Sequence, residues 1–309
     1  MSGEHSSDDH GAGGPPRTSG KAVASLVLGL MSFCLSVFAG LPAIVLGVLG
    51  LNEINRSGGR VTGQVLAISG IALGSLGTLV MIPLVGVSLA LLLPALNAAR
   101  DAARAAASLN NMKQIGLAMT VAQLDQGSLP PAYEAGADGT PLTSWRVLLL
   151  PYLEVDGTYS QYDLGQPWDA PVNQQVAAIA PSIYRAPFDN AAPPSDTSYV
   201  VVQGPGTAFV GSRRLTQNEL ATRGLSQTVL LAEMHDSGIG WTEPRDLSID
   251  RMSFAINDSS RPSIRSNARR VAIGMADGSV HTLAPSTSPD LVESLLLGHS
   301  VEAIDDTWP

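Results

Sequence analysis

Two long stretches of this chain carry no charge at all: Ala22 to Leu51, and again Val61 to Ala99. Each exceeds the roughly 20 residues that a membrane helix needs. The first holds Gly40-Leu41-Pro42 at its middle, which in lipid reads as a kink repaired by neighbouring groups, so one kinked span is expected. A cleaved signal peptide is the competing reading, because Val37-Phe38-Ala39 resembles a small-residue cleavage site. Against it, the apolar run continues to Leu51. The polar connector NEINRSGGRVTG (52–63) reverses the chain. The second stretch has 39 residues, or about 58 Å as a helix against a hydrocarbon core near 30 Å. Either Pro83 divides it, or its last turns leave the bilayer.

Beyond residue 95 the pattern changes without a turn signal. Leu96, Ala99, Ala103, Ala106, Met112, Ile115 and Met119 recur at three- and four-residue steps, with Asn97, Arg100, Asp101 and Arg104 between them. A helix continuous from about Val87 to Ala122 is expected, with Pro94 removing one backbone bond; Gly127 and Pro130-Pro131 end it. After residue 130 the periods shorten. SWRVLLLPYL (144–153) predicts a short buried helix, and residues 199–203, 228–233, 270–276 and 279–283 predict strands from their β-branched content. Ser288-Pro289-Asp290 caps and opens a last helix that Gly298 closes. The expected fold is α+β: two N-terminal transmembrane helices, a long helix from membrane into solvent, then an antiparallel sheet domain with short helices. The expected divisions are a disordered tail (1–20), a two-helix membrane domain (21–80), the membrane-to-soluble helix (81–126) and the α+β domain (127–309).

Composition sharpens this picture. Residues 1–20 are Gly, Pro, Ser and Asp without an apolar anchor. His5, His10, Asp8 and Asp9 would chelate a metal only if that tail were ordered. Charges before residue 97 cancel, so the formal net charge of −9 falls on the remainder. An acidic soluble part excludes nucleic acid as a partner, since phosphates would repel it. The single Cys, Cys34, lies in the first apolar stretch after Phe33, which argues for a buried thiol rather than a lipidation site.

The stretch LLLPALNAARDAARAAASLNNMKQIGLAM (91–119) resembles the N-terminal helix of a large bacterial prepilin-like (pseudopilin-like) family, domain of unknown function 1559. SWRVLLLPYLE (144–154), QPWDAPVN (166–173), IYRAPFD (183–189), TSYVVVQGPGTAF (197–209), WTEPRDL (241–247) and ADGSV (276–280) extend that likeness. Residues 21–80 resemble a small two-helix membrane domain of unknown function. The resemblance implies a bacterial inner-membrane, multi-pass protein whose C-terminal domain lies outside the cytoplasm. It implies the lipid bilayer, further copies of the chain or other pilin-like envelope proteins as partners. The family has no established enzymatic activity. The chain departs from it in lacking the Gly-Phe-Thr-Leu-Ile-Glu peptidase signature, in Ala186 where the family has Cys, and in Asn267 where a His precedes Asp277-Gly278 by nine intervening residues.

Candidate chemistry is sparse. His235-Asp236 could join a Ser in a hydrolase, but no Gly-x-Ser-x-Gly elbow exists and adjacent strand residues point apart. GPGTAFVG (204–211) lacks the Lys-Ser/Thr of a phosphate loop and predicts a tight turn between strands. Asp169 and Asn173 are the Ca²⁺ candidates, with few local carboxylates to help them. Asp277-Gly278 predicts a type I′ hairpin turn, with Asn267 a structural neighbour. Gly70 and Gly74 form a close-packing helix face, either between spans of one chain or between copies. The expected role is a non-catalytic envelope component without cofactor; the alternatives are an extracytoplasmic module for Ca²⁺ or an envelope polymer, and a hydrolase.

Overall fold

The computed structural model describes residues 15–298 other than 36 and 154–156; the His5/His10/Asp8/Asp9 chelate and His299 lie outside the described residues. The helices are α1 (Gly20–Leu35), α2 (Val37–Arg56), α3 (Gln64–Gln126), α4 (Trp145–Leu148), α5 (Thr158–Gln161), α6 (Pro171–Ala177), α7 (Gln217–Arg223) and α8 (Pro289–Leu296). The strands are β1 (Arg17–Thr18), β2 (Val61–Thr62), β3 (Tyr133–Ala135), β4 (Pro141–Ser144), β5 (Tyr199–Val200), β6 (Val202–Gln203), β7 (Val229–Glu233), β8 (Leu247–Ser248), β9 (Val271–Met275) and β10 (Val280–Leu283). The fold is mixed α+β. Residues 1–98 and 99–309 are two compact units, and the division falls inside α3.

In the first unit the Ala22–Leu51 stretch is two helices, not one kinked span. Ser25 on α1 donates its hydroxyl to the Ala43 carbonyl on α2 at 2.8 Å, and Gly50 lies against the backbone of Ala22, so the helices run antiparallel. The reversal falls beside residue 36, while Pro42 sits near the start of α2 and costs it one backbone bond. Part of the expected tail is also ordered: Arg17 and Thr18 pair in parallel with Val61 and Thr62, and Lys21 pairs with Glu53 at 2.9 Å. Two helices are long and apolar enough to cross a membrane, Phe38–Arg56 and Gln64–Gln126, whereas Gly20–Leu35 is shorter. Pro83 does not divide the second stretch. α3 passes through both Pro83 and Pro94 for 63 residues, roughly 95 Å at 1.5 Å per residue.

The second unit is built on a four-stranded antiparallel sheet in the order β10-β9-β7-β5. Alternation along β9 divides the core. Ala272 joins Met112, Ile115 and Met119 of α3, Trp145, Tyr184, Tyr199 and Trp241 on one face. Val271, Ile273 and Met275 join Val292, Leu295 and Leu296 of α8 on the other. At Gly274 an added Cβ would meet Met112 Cγ at 3.2 Å, so the missing side chain lets α3 approach the sheet. Residues 199–203 do not form one strand. The Val201 amide donates to Asp246 Oδ1 at 3.0 Å, which takes it from any ladder, and β6 leaves the main sheet to pair in parallel with β8.

Three local expectations take a different form. The β9–β10 hairpin turns at Asp277-Gly278, but only Gly278 has positive φ (83°). The Gly278 amide bonds to Met275 O, and the Met275 amide to Ser279 O. This is a turn followed by a left-handed Gly, not a type I′ pair, because Asp277 stays in the ordinary region and accepts the Ser279 amide on its carboxylate at 2.9 Å. GPGTAFVG leads from β6 towards α7 and does not join two hairpin strands. Residues 145–152 form α4 and a 3₁₀ turn, capped by Ser144.

Candidate functional site

Strand β7 ends in Glu233, and two residues on comes His235. Alternation puts both on one face, and that face looks at α3, where the small polar Ser108 interrupts the apolar stripe. Glu233 is 2% exposed and His235 is fully buried. Ser108 donates its hydroxyl to Glu233 Oε1 at 2.6 Å and lies 2.9 Å from the Tyr199 hydroxyl. His235 Nε2 lies 3.0 Å from the same carboxylate oxygen, and the Ala272 amide donates to Oε2 at 3.1 Å. On the far side of the ring the Asn267 amide donates to His235 Nδ1 at 2.9 Å. Nδ1 is therefore an acceptor, the proton sits on Nε2, and the imidazole is the neutral tautomer donating to Glu233. Burial raises the Tyr199 phenol far above its ordinary range, so it stays a neutral donor.

A cleft of about 300 Å³ opens beside this cluster, with Ser108, Glu233 and Ala272 at its floor. Its walls are Ala105 and Leu109 of α3, Phe188 and Ala268; the exposed Arg269 and Arg270 stand at its mouth. Phe188 stacks near His235, with centroids 6.5 Å apart, and the Arg104 guanidinium sits 5.9 Å above the Phe188 ring.

A second buried polar constellation draws together the motifs noted above. Arg146 and Asp246 form an ion pair at 2.5 Å with neither side chain exposed. Trp145 Nε1 donates to Asp246 Oδ2 at 3.1 Å, while Arg146 also donates to the Tyr199 carbonyl and Tyr184 donates to Arg146 O. Burial pushes the Asp246 carboxyl up to about 6, against the opposing pull of Arg146 and of the Val201 and Trp145 donors. Every donor and acceptor here is satisfied within the domain, which marks this pair as a structural clamp on α4, β5 and the segment before β8.

The sequence-predicted residues fall elsewhere. Asn173 is fully buried, its Oδ1 taken by the Asp163 amide and its Nδ2 by the carbonyls of Asp163, Gln166 and Pro167, whereas Asp169 is exposed. The amide thus clamps a loop, and its oxygen is committed to a backbone donor. Asn267 and Asp277 are not brought together: Asn267 meets His235 and Phe188, and Asp277 meets Ser279. His235 is buried while Asp236 is exposed, with φ 47°. Ser108 gives its proton to Glu233 rather than to His235, so this arrangement holds no Ser–His pair. Gly70 of α3 packs against α1, where an added Cβ would meet the Leu26 amide at 2.7 Å, and Gly74 of α3 packs against α2, where one would stand 3.0 Å from Ala43 Cβ and Gly40 O. Cys34 is exposed on α1. The Glu233/His235 pair was missed although Glu-x-His at the end of a predicted strand places both side chains on one face; Ser108, 125 positions away, left no such sign.

A family model described as Protein of unknown function (DUF1559) matches residues 97–258, and one described as Domain of unknown function (DUF4190) matches residues 21–84. No curated protein and no solved structure matches the chain.

Proposed function

The chain belongs to the DUF1559 family, and from that premise we propose that it is a membrane-anchored, pilin-like component of the cell envelope that acts by assembly rather than catalysis, with residues 99–309 outside the cytoplasm. The observation that carries this reading is α3. Its first half is apolar and exposed, with Leu79 at 72% and Leu91 at 71%. Its last turns supply Met112, Ile115 and Met119 to the core of the second unit. One helix is thus both anchor and core element.

Orientation is supported by the α1–α2 hairpin. Because the chain returns, Arg17 and Lys21 lie beside Arg56 and Arg60: Arg17 donates its amide to Arg60 O, and β1 pairs with β2. Four basic residues then share one membrane face, opposed there by Glu53. Under the positive-inside bias that face is cytoplasmic, and α3 leaves on the other side. A single kinked span would have put Arg17 and Lys21 on the opposite face and spoiled the count. Assembly is supported by Leu117, Val121 and Leu124, exposed at 62%, 42% and 66%, which recur at four- and three-residue steps on the solvent side of α3.

The test is site-directed labelling of intact cells with a membrane-impermeant maleimide, in a Cys34→Ser background. Ser286→Cys should label and Asn55→Cys should label only after permeabilisation; the reverse pattern overturns the orientation. A photo-crosslinker at Leu117 should capture a second copy or another envelope protein in native membranes, and capture of neither overturns the assembly role.

A further inference from the structure

The Glu233 carboxyl at the floor of the cleft has no Lys or Arg side chain beside it among the described residues. Glu233 accepts from Ser108, from neutral His235 and from the Ala272 amide, and all three donors are uncharged. Among the described residues no Lys or Arg pairs with it. Oε1 takes two donors and Oε2 one, so Oε2 keeps acceptor capacity. A buried carboxylate is tolerated when paired, and here the missing partner is a cation. A simple amine would have to pass Arg269 and Arg270, which repel it. Arg270 is held by Thr282 through Nε and Nη2 at 2.8 Å each. Arg269, by contrast, makes no hydrogen bond or ion pair among the described residues and is exposed. The complement to a negative floor, apolar walls and a positive mouth is a zwitterion with an apolar body. A cleft of about 300 Å³ lies at the lower end of the ~300–1,000 Å³ typical of small-molecule sites.

We propose that this cleft binds a free apolar α-amino acid or very short peptide, its ammonium on Glu233, its side chain among Ala105, Leu109 and Phe188, and its carboxylate at Arg269. The site lies wholly within residues 99–309, so it stands or falls independently of the anchoring role.

Calorimetry on the full chain in nanodiscs tests this with three probes of one shape: L-leucine, L-leucinamide and 4-methylpentanoate. Leucine should bind saturably and tightest, leucinamide more weakly for want of the carboxylate, and 4-methylpentanoate weakest. Glu233→Gln should weaken leucine at least tenfold and abolish its advantage over 4-methylpentanoate. Arg269→Ala should bring leucine down to the level of leucinamide. Ala105→Leu fills the wall without touching the carboxylate, and should abolish binding while the near-ultraviolet dichroism of the tryptophans is retained, which covers the case in which Glu233→Gln fails to fold. Failure of leucine to saturate wild type, binding of 4-methylpentanoate as tight as that of leucine, or undiminished leucine binding by a folded Glu233→Gln or Ala105→Leu variant overturns the proposal.

Discussion

The two ends of α3 are packed by opposite means. In the first unit contact is made by absence: Gly70 meets the backbone of α1, Gly74 that of α2, and Ser32 donates to the Leu73 carbonyl at 3.1 Å. In the second unit contact is made by bulk, with Met112, Ile115 and Met119 fully buried against Trp145 and the sheet. Close backbone approach and polar side chains hold the first unit, the kind of packing expected of helices from which lipid would remove the hydrophobic drive. Water supplies that drive to the second, and large side chains exploit it. Glycine is accordingly a packing residue at one end of the helix, while at the other the polar Ser108 hydrogen-bonds Glu233 at the cleft.

This contrast can be broken at several points. The largest effect is expected at the Arg146–Asp246 clamp. Asp246→Ala leaves a buried guanidinium uncompensated and should destabilise the second unit by about 3–5 kcal/mol, read by tryptophan fluorescence during urea unfolding, since every Trp lies beyond residue 98. The first unit, judged by protease resistance of α1 and α2 in detergent, should not change.

The pH dependence of the same clamp comes next. Burial holds the folded carboxyl at about 6, above the 3.8 of a free aspartate side chain, so between those values the folded protein keeps a proton that the unfolded chain has lost. Stability from this group is therefore greatest at the acid end and falls as pH rises from about 4 to about 6, by up to about 3 kcal/mol. Unfolding curves of wild type measured relative to Asp246→Asn should show that decline and level off above pH 6; a rise over the window contradicts it.

Gly70→Val tests the opposite end. Its Cβ would stand 2.5 Å from Ser25 C, so α1 and α3 must separate, at about 1–3 kcal/mol. Proteolysis between α1 and α2 should accelerate while tryptophan signals stay constant, and a coupled loss of both would show that the packing of one end governs the other. Smallest are the hairpin changes. Gly278→Val forces a β-branched residue to φ 83° and should cost about 1–3 kcal/mol. Asp277→Asn keeps an acceptor for the Ser279 amide and should shift the melting temperature of the second unit hardly at all.

Legibility in the sequence followed the range of the interaction. The apolar stretches, the stop at Gly127 (φ 74°), the Ser288 cap and the strands at 229–233, 271–275 and 280–283 rest on neighbours within a few positions, and these were foreseen. The reversal between α1 and α2 was not, because no Gly or Pro marks it; Pro83, which offered a division, and Pro42, which offered a kink, lie inside helices as Pro94 does, where each removes only one backbone bond. The split of residues 199–203 depends on Asp246, 45 positions away from the Val201 amide. The Ser108–Glu233 contact spans 125 positions, and no local pattern announces it.

The strand order β10-β9-β7-β5 has a consequence for the time at which the protein becomes itself. β9 sits between β10 and β7 and begins at Val271, beyond residue 258 where the family match ends. The sheet therefore lacks one of its two inner strands until residue 275 has left the ribosome. By then α1, α2 and the apolar half of α3 have long been synthesised. Met112, Ile115 and Met119 must wait for their β9 neighbours through the synthesis of some 150 further residues. At about 5–20 residues per second that is a delay of roughly ten to thirty seconds. If α3 anchors the chain as proposed, its insertion precedes closure of the second unit by construction.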